Sequence, residues 1–182
     1  MRKICIFLLR ILGWRLEGEI PKDVHKCVVV MGPHTSNWDF FIGRLGFFAI
    51  GVKAYFLMKK ELFFFPFGFF LKCLGGIPVD RKGNTKDNIT DLAVSYFNKN
   101  EKMFLVFTPE GTRSYNSKWK TGFYYVSLKA NVPIYIGYMD YEKKTGGFHS
   151  KFDPSGDVDK DIEYIKSILK KYKGRYPENG IN

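Results

Sequence analysis

Cys27-Val28-Val29-Val30-Met31-Gly32-Pro33-His34-Thr35-Ser36-Asn37-Trp38-Asp39 is the stretch on which the reading of the chain turns. Its first five residues are apolar without alternation and are closed by Gly32-Pro33. They therefore predict a strand buried on both faces. Thr35, Ser36 and Asn37 are all residue types that cap helix N-termini, and Trp38-Asp39-Phe40-Phe41-Ile42 opens a predicted helix. His34 thus falls on a strand-to-helix turn. On one unbroken helix, residues five apart point about 140° away from each other. His34 and Asp39 meet only if the histidine lies outside the helix and folds back over its first turn. The predicted turn supplies that break, and the helix dipole favours an aspartate there.

A carboxylate that accepts a hydrogen bond from one imidazole nitrogen fixes the tautomer and leaves the other nitrogen free as a base. No Gly-x-Ser-x-Gly elbow occurs in the chain, and none of its three cysteines sits beside a histidine. Such a base would act directly on a substrate hydroxyl. A structural histidine at a strand end, tied to a nearby carboxylate, fits the same residues.

Working outward, the 182 residues suffice for one domain with a sizeable core. The chain is 45% hydrophobic and 18% aromatic, which excludes a disordered or low-complexity protein. A net charge of +11 points to an acidic partner: nucleic acid, an anionic membrane face or a phosphorylated substrate. No nucleic-acid motif accompanies the charge, and the aromatics cluster in an apolar run instead of interleaving with Lys and Arg, so nucleic acid is not expected as a partner. Cys5, Cys27 and Cys73 form no ligand spacing and no even framework, and His25, His34 and His149 are scattered, so no metal site is expected. Reduced thiols fit a cytosolic setting.

Met1 to Leu16 is apolar with basic spots at Arg2, Lys3, Arg10 and Arg15. The apolar part falls short of the roughly 20 residues that span a bilayer. Residues 1–20 read as an amphipathic helix in a membrane interface, residues 21–182 as the functional domain; a helix packed on that domain is the plain alternative. After a second strand candidate, Lys53 to Met58, comes Leu62-Phe63-Phe64-Phe65-Pro66-Phe67-Gly68-Phe69-Phe70-Leu71. Pro66 and Gly68 argue against a regular core helix. With Lys59, Lys60 and Lys72 on its flanks, this segment suits an acyl-chain groove or an anionic membrane surface better than an irregular core plug.

Gly75 to Arg81 reads as a short strand, residues 86–98 as an amphipathic helix and Met103 to Phe107 as another buried strand. Gly122 to Ala130 is a helix candidate, Val132 to Tyr138 a strand, Phe148 to Phe152 a weak strand, and residues 158–172 a last amphipathic helix. The alternation predicts a single α/β domain with a largely parallel central sheet flanked by helices. Ligands in such folds sit at the carboxyl ends of the strands. His34 follows one strand, Arg81 another, and Glu110, Thr112 and Arg113 a third. A base and two guanidiniums thus converge on one rim, and a guanidinium matches phosphate oxygens bidentately. Gly111 permits close backbone approach to an anion. The convergence points to a phosphorylated substrate whose hydroxyl is deprotonated by His34.

Four blocks now stand in order: His34-x4-Asp39, Gly76-Ile77-Pro78-Val79-Asp80-Arg81, Thr108-Pro109-Glu110-Gly111-Thr112-Arg113-Ser114 and Val132-Pro133-Ile134. Together they resemble the glycerolipid acyltransferases, and within them the 1-acyl-sn-glycerol-3-phosphate acyltransferases, over roughly residues 25–140. The resemblance implies transfer of an acyl group from acyl-CoA or acyl carrier protein to a lysophospholipid hydroxyl, with no cofactor, in phospholipid biosynthesis at the cytoplasmic face of a membrane. It makes His34 the general base and Asp39 its orienting partner. Arg81, Glu110, Gly111, Thr112, Arg113 and Lys120 would bind the acceptor. Thr108 departs from the pattern, since an aromatic or aliphatic residue is commoner there. Another acceptor, such as a lyso-ornithine lipid, and a non-catalytic lipid-binding module are the rival readings.

Overall fold

A computed structural model describes residues 1–80 and 86–181, with the side chains of residues 86–88 excepted. In chain order the elements are α1 (Arg2–Ile11), β1 (Arg15–Glu17), β2 (Lys26–Gly32), α2 (Trp38–Ile50), β3 (Ala54–Lys59), α3 (Phe67–Cys73) and β4 (Gly76–Val79). They continue with α4 (Lys86–Lys99), β5 (Met103–Phe107), α5 (Gly122–Ala130), β6 (Ile134–Asp140), β7 (Thr145–Phe152) and α6 (Val158–Leu169). The described strands form one sheet in the order β1-β7-β6-β2-β5-β3-β4. Pairing is parallel throughout except between β6 and β7. This is the α/β architecture with a largely parallel sheet that the alternation of elements predicts.

β2 lies mid-sheet between β5 and β6, and Cys27 through Val30 are fully buried. A strand covered on both faces has no polar side to show, which explains its unbroken apolar run. Successive side chains still alternate. Val28 and Val30 join Leu105, Ile134, Phe97, Phe123 and Leu169 in a core under α4, α5 and α6. Cys27, Val29 and Met31 join Leu9, Ile42, Phe47 and Phe104 in a second core under α1 and α2. Asp161 of α6 fastens the first layer by accepting from the Tyr124 hydroxyl of α5 at 2.8 Å and from the Ser155 amide at 2.7 Å.

Three elements depart from expectation. The N-terminal helix ends at Ile11, and Arg15–Glu17 pair with β7 as an edge strand. Three residues are too few to show a period, so only the available edge reveals them. α1 rests on α2 through Cys5 and Leu9, while Ile4, Phe7 and Ile11 remain exposed. The phenylalanine-rich segment does contain a helix: Pro66 stands at the N-cap of α3, where its missing N–H costs nothing. Its rings point to solvent rather than lining an interior groove, with Phe65 92% exposed and Phe64, Phe67, Phe69 and Phe70 also exposed. Finally, α6 stops at Leu169, and the chain beyond it returns to the carboxyl ends of the parallel strands.

Candidate active site

β2 ends at Gly32 and α2 begins at Trp38, so His34 stands on the turn between them. Asp39, in the first turn of α2, faces back over that turn. Its Oδ2 lies 2.9 Å from His34 Nδ1 and accepts the backbone N–H groups of Thr35 and Ser36, each at 2.9 Å. Its Oδ1 accepts the Tyr141 hydroxyl at 2.7 Å. The Ser36 hydroxyl takes the Trp38 N–H at 3.2 Å and so serves the helix start, while the Asn37 side chain makes no cap bond. The Asp39 side chain is 2% exposed and that of His34 22%. One imidazole edge is therefore held against a buried carboxylate and the other is open to a substrate. With Nδ1–H donating to Asp39, Nε2 carries the free lone pair.

The third block closes the turn from the β5 side. Glu110 is buried, and its Oε1 accepts the His34 backbone N–H at 3.0 Å. Burial pushes its carboxyl up from the usual range, against the opposing pull of the backbone donors and of His34. Its other oxygen has no hydrogen-bond partner among the described residues. Gly111 has φ +68°, and a Cβ there would press on the Lys120 stem at 3.2 Å. The loop folds back on itself through Lys120 N–H to Pro109 O and the Asn116 amide to Glu110 O, both 2.7 Å. Thr112, Arg113 and Lys120 stand exposed. The Arg113 guanidinium donates to the Asn37 side-chain oxygen, which brings it to the N-terminus of α2.

Sequence reading therefore placed His34, Asp39, Gly111, Thr112, Arg113 and Lys120 on or beside one turn, where the structure has them. Glu110 sits there too, but in the interior, gripping the backbone of His34. Arg81 lies outside the described residues. Four groups were missed, all late in the chain. Besides Tyr141, Arg175 lies 5.3 Å over the Trp38 ring, Tyr176 donates its N–H to the Thr35 hydroxyl at 3.2 Å, and Lys173 O accepts the Tyr141 N–H at 2.8 Å. Gly174 is pressed so close that a Cβ would come within 2.6 Å of the Thr35 side chain. Only Tyr141 had a legible signal, its place just past the carboxyl end of a predicted strand. One turn along α2 from Asp39, a half-open apolar cleft lies between helix and sheet, lined by Ile42, Gly43, Gly46, Met31, Trp14 and Phe148 among others. Among the described residues no cluster of His, Cys, Asp and Glu could hold a metal.

Fold and site together define an α/β domain with a histidine–aspartate pair at the end of a central parallel strand. The acyltransferase family model matches residues 15–138, and the chain belongs to that family. It is 26% identical over 133 residues to the 1-acyl-sn-glycerol-3-phosphate acyltransferase of Haemophilus influenzae, covering 70% of this chain and 54% of the relative. It is 34% identical over 110 residues to the mouse 1-acyl-sn-glycerol-3-phosphate acyltransferase epsilon, covering 57% and 29%. The chain thus spans about half the length of the first of these curated relatives and less of the second. The crystal structure of the 1-acyl-sn-glycerophosphate (LPA) acyltransferase PlsC from Thermotoga maritima superposes with a TM-score of 0.64 at 19% identity, over 93% of this chain and 75% of that one. At that identity the likeness speaks for the fold.

Proposed function

We propose that this chain transfers a fatty acyl group from acyl-CoA or acyl carrier protein to the free hydroxyl of a lysophospholipid, foremost 1-acyl-sn-glycerol-3-phosphate. The observation that carries this reading is the His34–Asp39 pair with Nε2 left open at a strand end. The acceptor hydroxyl gives its proton to Nε2 as its oxygen attacks the thioester carbonyl carbon. Asp39 balances the imidazolium that forms. The tetrahedral intermediate collapses, the C–S bond breaks, and the leaving thiolate takes the proton from the imidazolium. The products are an ester and a free thiol. A thioester is already activated, so no enzyme nucleophile and no cofactor is needed.

The remaining parts follow from charge and polarity. Arg113 at the N-terminus of α2 suits the acceptor phosphate, with Arg81, Thr112 and Lys120 as further contacts on the strength of the family motif. The apolar cleft beginning one turn from Asp39 suits the acyl chain. No described helix is long and apolar enough to cross a membrane. Peripheral attachment at an anionic cytoplasmic membrane face fits the exposed rings of α3, the lysines beside them and the exposed apolar side of α1. The test is transfer of a labelled long-chain acyl group from acyl-CoA, and then from acyl carrier protein, to a panel of lyso-lipids, wild type beside His34→Ala. Label on lysophosphatidate with a dead variant is the expected result. Transfer only to a lyso-ornithine lipid or another head group overturns the acceptor, and no transfer from either donor overturns the activity in favour of lipid binding alone.

A further inference from the structure

We infer that Tyr141 is a positioning residue for His34, acting through the carboxylate of Asp39; the inference rests on the acyl-transfer reading above. The hydrogen bonds on Asp39 divide unevenly between its two oxygens. Oδ2 takes three, all from residues 34–36 of its own turn. Oδ1 takes one among the described residues, the hydroxyl of Tyr141 at 2.7 Å, from 102 residues away. The local donors hold one corner of a group that is free to swivel about its Cβ–Cγ bond. The tyrosine fixes the opposite corner, and with both held the imidazole has one direction in which to point.

Tyr141 is itself firmly placed. Its N–H donates to Lys173 O at 2.8 Å, and its ring meets Trp14 edge-on, with centroids 4.9 Å apart. The residue lies just past β6, which pairs with β2 so that Tyr138 stands opposite Gly32. Three residues beyond each strand position, the chain arrives at Tyr141 on one side and Thr35 on the other. Burial and the bond to Asp39 push the phenol above its ordinary range, which keeps it a donor at neutral pH. The charged groups facing this pair are His34, Glu110, which interacts with both His34 and Asp39, and Arg175, which acts on Tyr141 from beside Trp38. None of them replaces the hydroxyl, since Oδ1 has no other bond among the described residues.

Tyr141 lies three residues past the part of the chain that matches the family model, residues 15–138. The phenol competes with the imidazole for the charge of the carboxylate. Its loss leaves Oδ1 bare, strengthens the pull of Asp39 on the imidazole proton and lets the ring swing.

The test compares wild type, Tyr141→Phe and the full chain carrying 3-fluorotyrosine at position 141. In Tyr141→Phe, kcat should fall about tenfold with both KM values within about twofold of wild type, as for the loss of a hydrogen bond to a charged group. The acid limb of kcat/KM should move to higher pH. The fluorinated phenol, a stronger donor, should move that limb to lower pH. An activity-independent readout is the low-field NMR resonance of the His34 Nδ1 proton, identified by its loss in His34→Ala. It should be sharp in wild type and exchange-broadened in Tyr141→Phe. Tyr172→Phe, which removes the hydroxyl bonded to His149 at 2.7 Å, should leave the limb and the resonance unchanged. An unmoved limb and resonance in Tyr141→Phe, or a change confined to KM, would overturn the assignment whatever the fall in activity. Absence of acyl transfer in wild type defeats the functional reading, while the NMR comparison still decides the role of Tyr141.

Discussion

The two sides of the His34 turn are built on opposite plans. Behind the histidine, Asp39 and Glu110 are buried, and together they take donors from His34, Thr35, Ser36 and Tyr141. In front of it, Arg113, Thr112 and Lys120 are exposed, and the Arg113 guanidinium donates to a neutral amide. The inner side is fixed by bonds that folding has already made. The outer side leaves its charge for a ligand to complete. A base gains from being locked before the substrate arrives. A site that must admit and release a phosphorylated lipid gains from cations that stay solvated until then.

The contrast is broken most severely from the inside. Asp39→Ala should cost transfer about 10²- to 10⁴-fold, the range for general-base catalysis, and also lower the melting temperature. It strands four protein donors, each costing about 1–3 kcal/mol where buried. His34→Ala should lose a similar amount of activity with the melting temperature close to wild type, because its side chain supplies only one of the donors. Parallel kinetics and thermal melts check both, and a strongly destabilised His34→Ala would erase the difference between the residues. Next in size is Arg113→Ala, for which KM of a phosphorylated acceptor should rise about tenfold, with kcat and stability little changed. An unchanged KM would make Arg113 a structural partner of Asn37.

Two smaller effects sharpen the comparison. Phe65→Ser with Phe67→Ser should reduce flotation on anionic liposomes several-fold while shifting stability by less than about 0.5 kcal/mol, as expected at exposed positions. Undiminished flotation would remove α3 from the membrane-facing surface. Glu110→Gln keeps an acceptor for the His34 N–H and removes the ionisation. The folded state holds the Glu110 proton more tightly than the unfolded chain does. Wild-type stability is therefore lost as pH rises from the ordinary carboxyl range through the raised folded value. The variant should be slightly the more stable above that window and converge with wild type below it. Melts across the acid-to-neutral range check this, and a gap that widens toward acid pH would reverse the sign.

Much of the site was legible because it is short-range or motif-borne. The spacing of His34 and Asp39, with a turn between them, was enough to predict their contact, since the helix start dictates where a fifth residue points. Arg113 and Lys120 came from a loop whose Gly111 conformation holds it folded. Glu110 was legible as a site residue but not as a buried one, because nothing local says which way a loop carboxylate turns. β1 escaped because three residues carry no periodicity. The phenylalanine-rich run was legible as lipid-facing, but a groove and an open surface stayed equal choices, because a run of phenylalanines reads alike in either.

What the sequence determined by itself is the alternation of the longer strands and helices, the two-sided burial of Val28 to Val30, and the location of the histidine at a strand end. Hydrophobic period and turn residues act within a few positions of themselves, so they are written locally. What only the tertiary structure decided is how the far end of the chain completes that turn. Tyr141, Arg175 and Tyr176 reach residues 35–39 across more than 100 positions, and Lys173 braces Tyr141. No local pattern records such a contact, because it follows from strand register and from the path of the chain after α6.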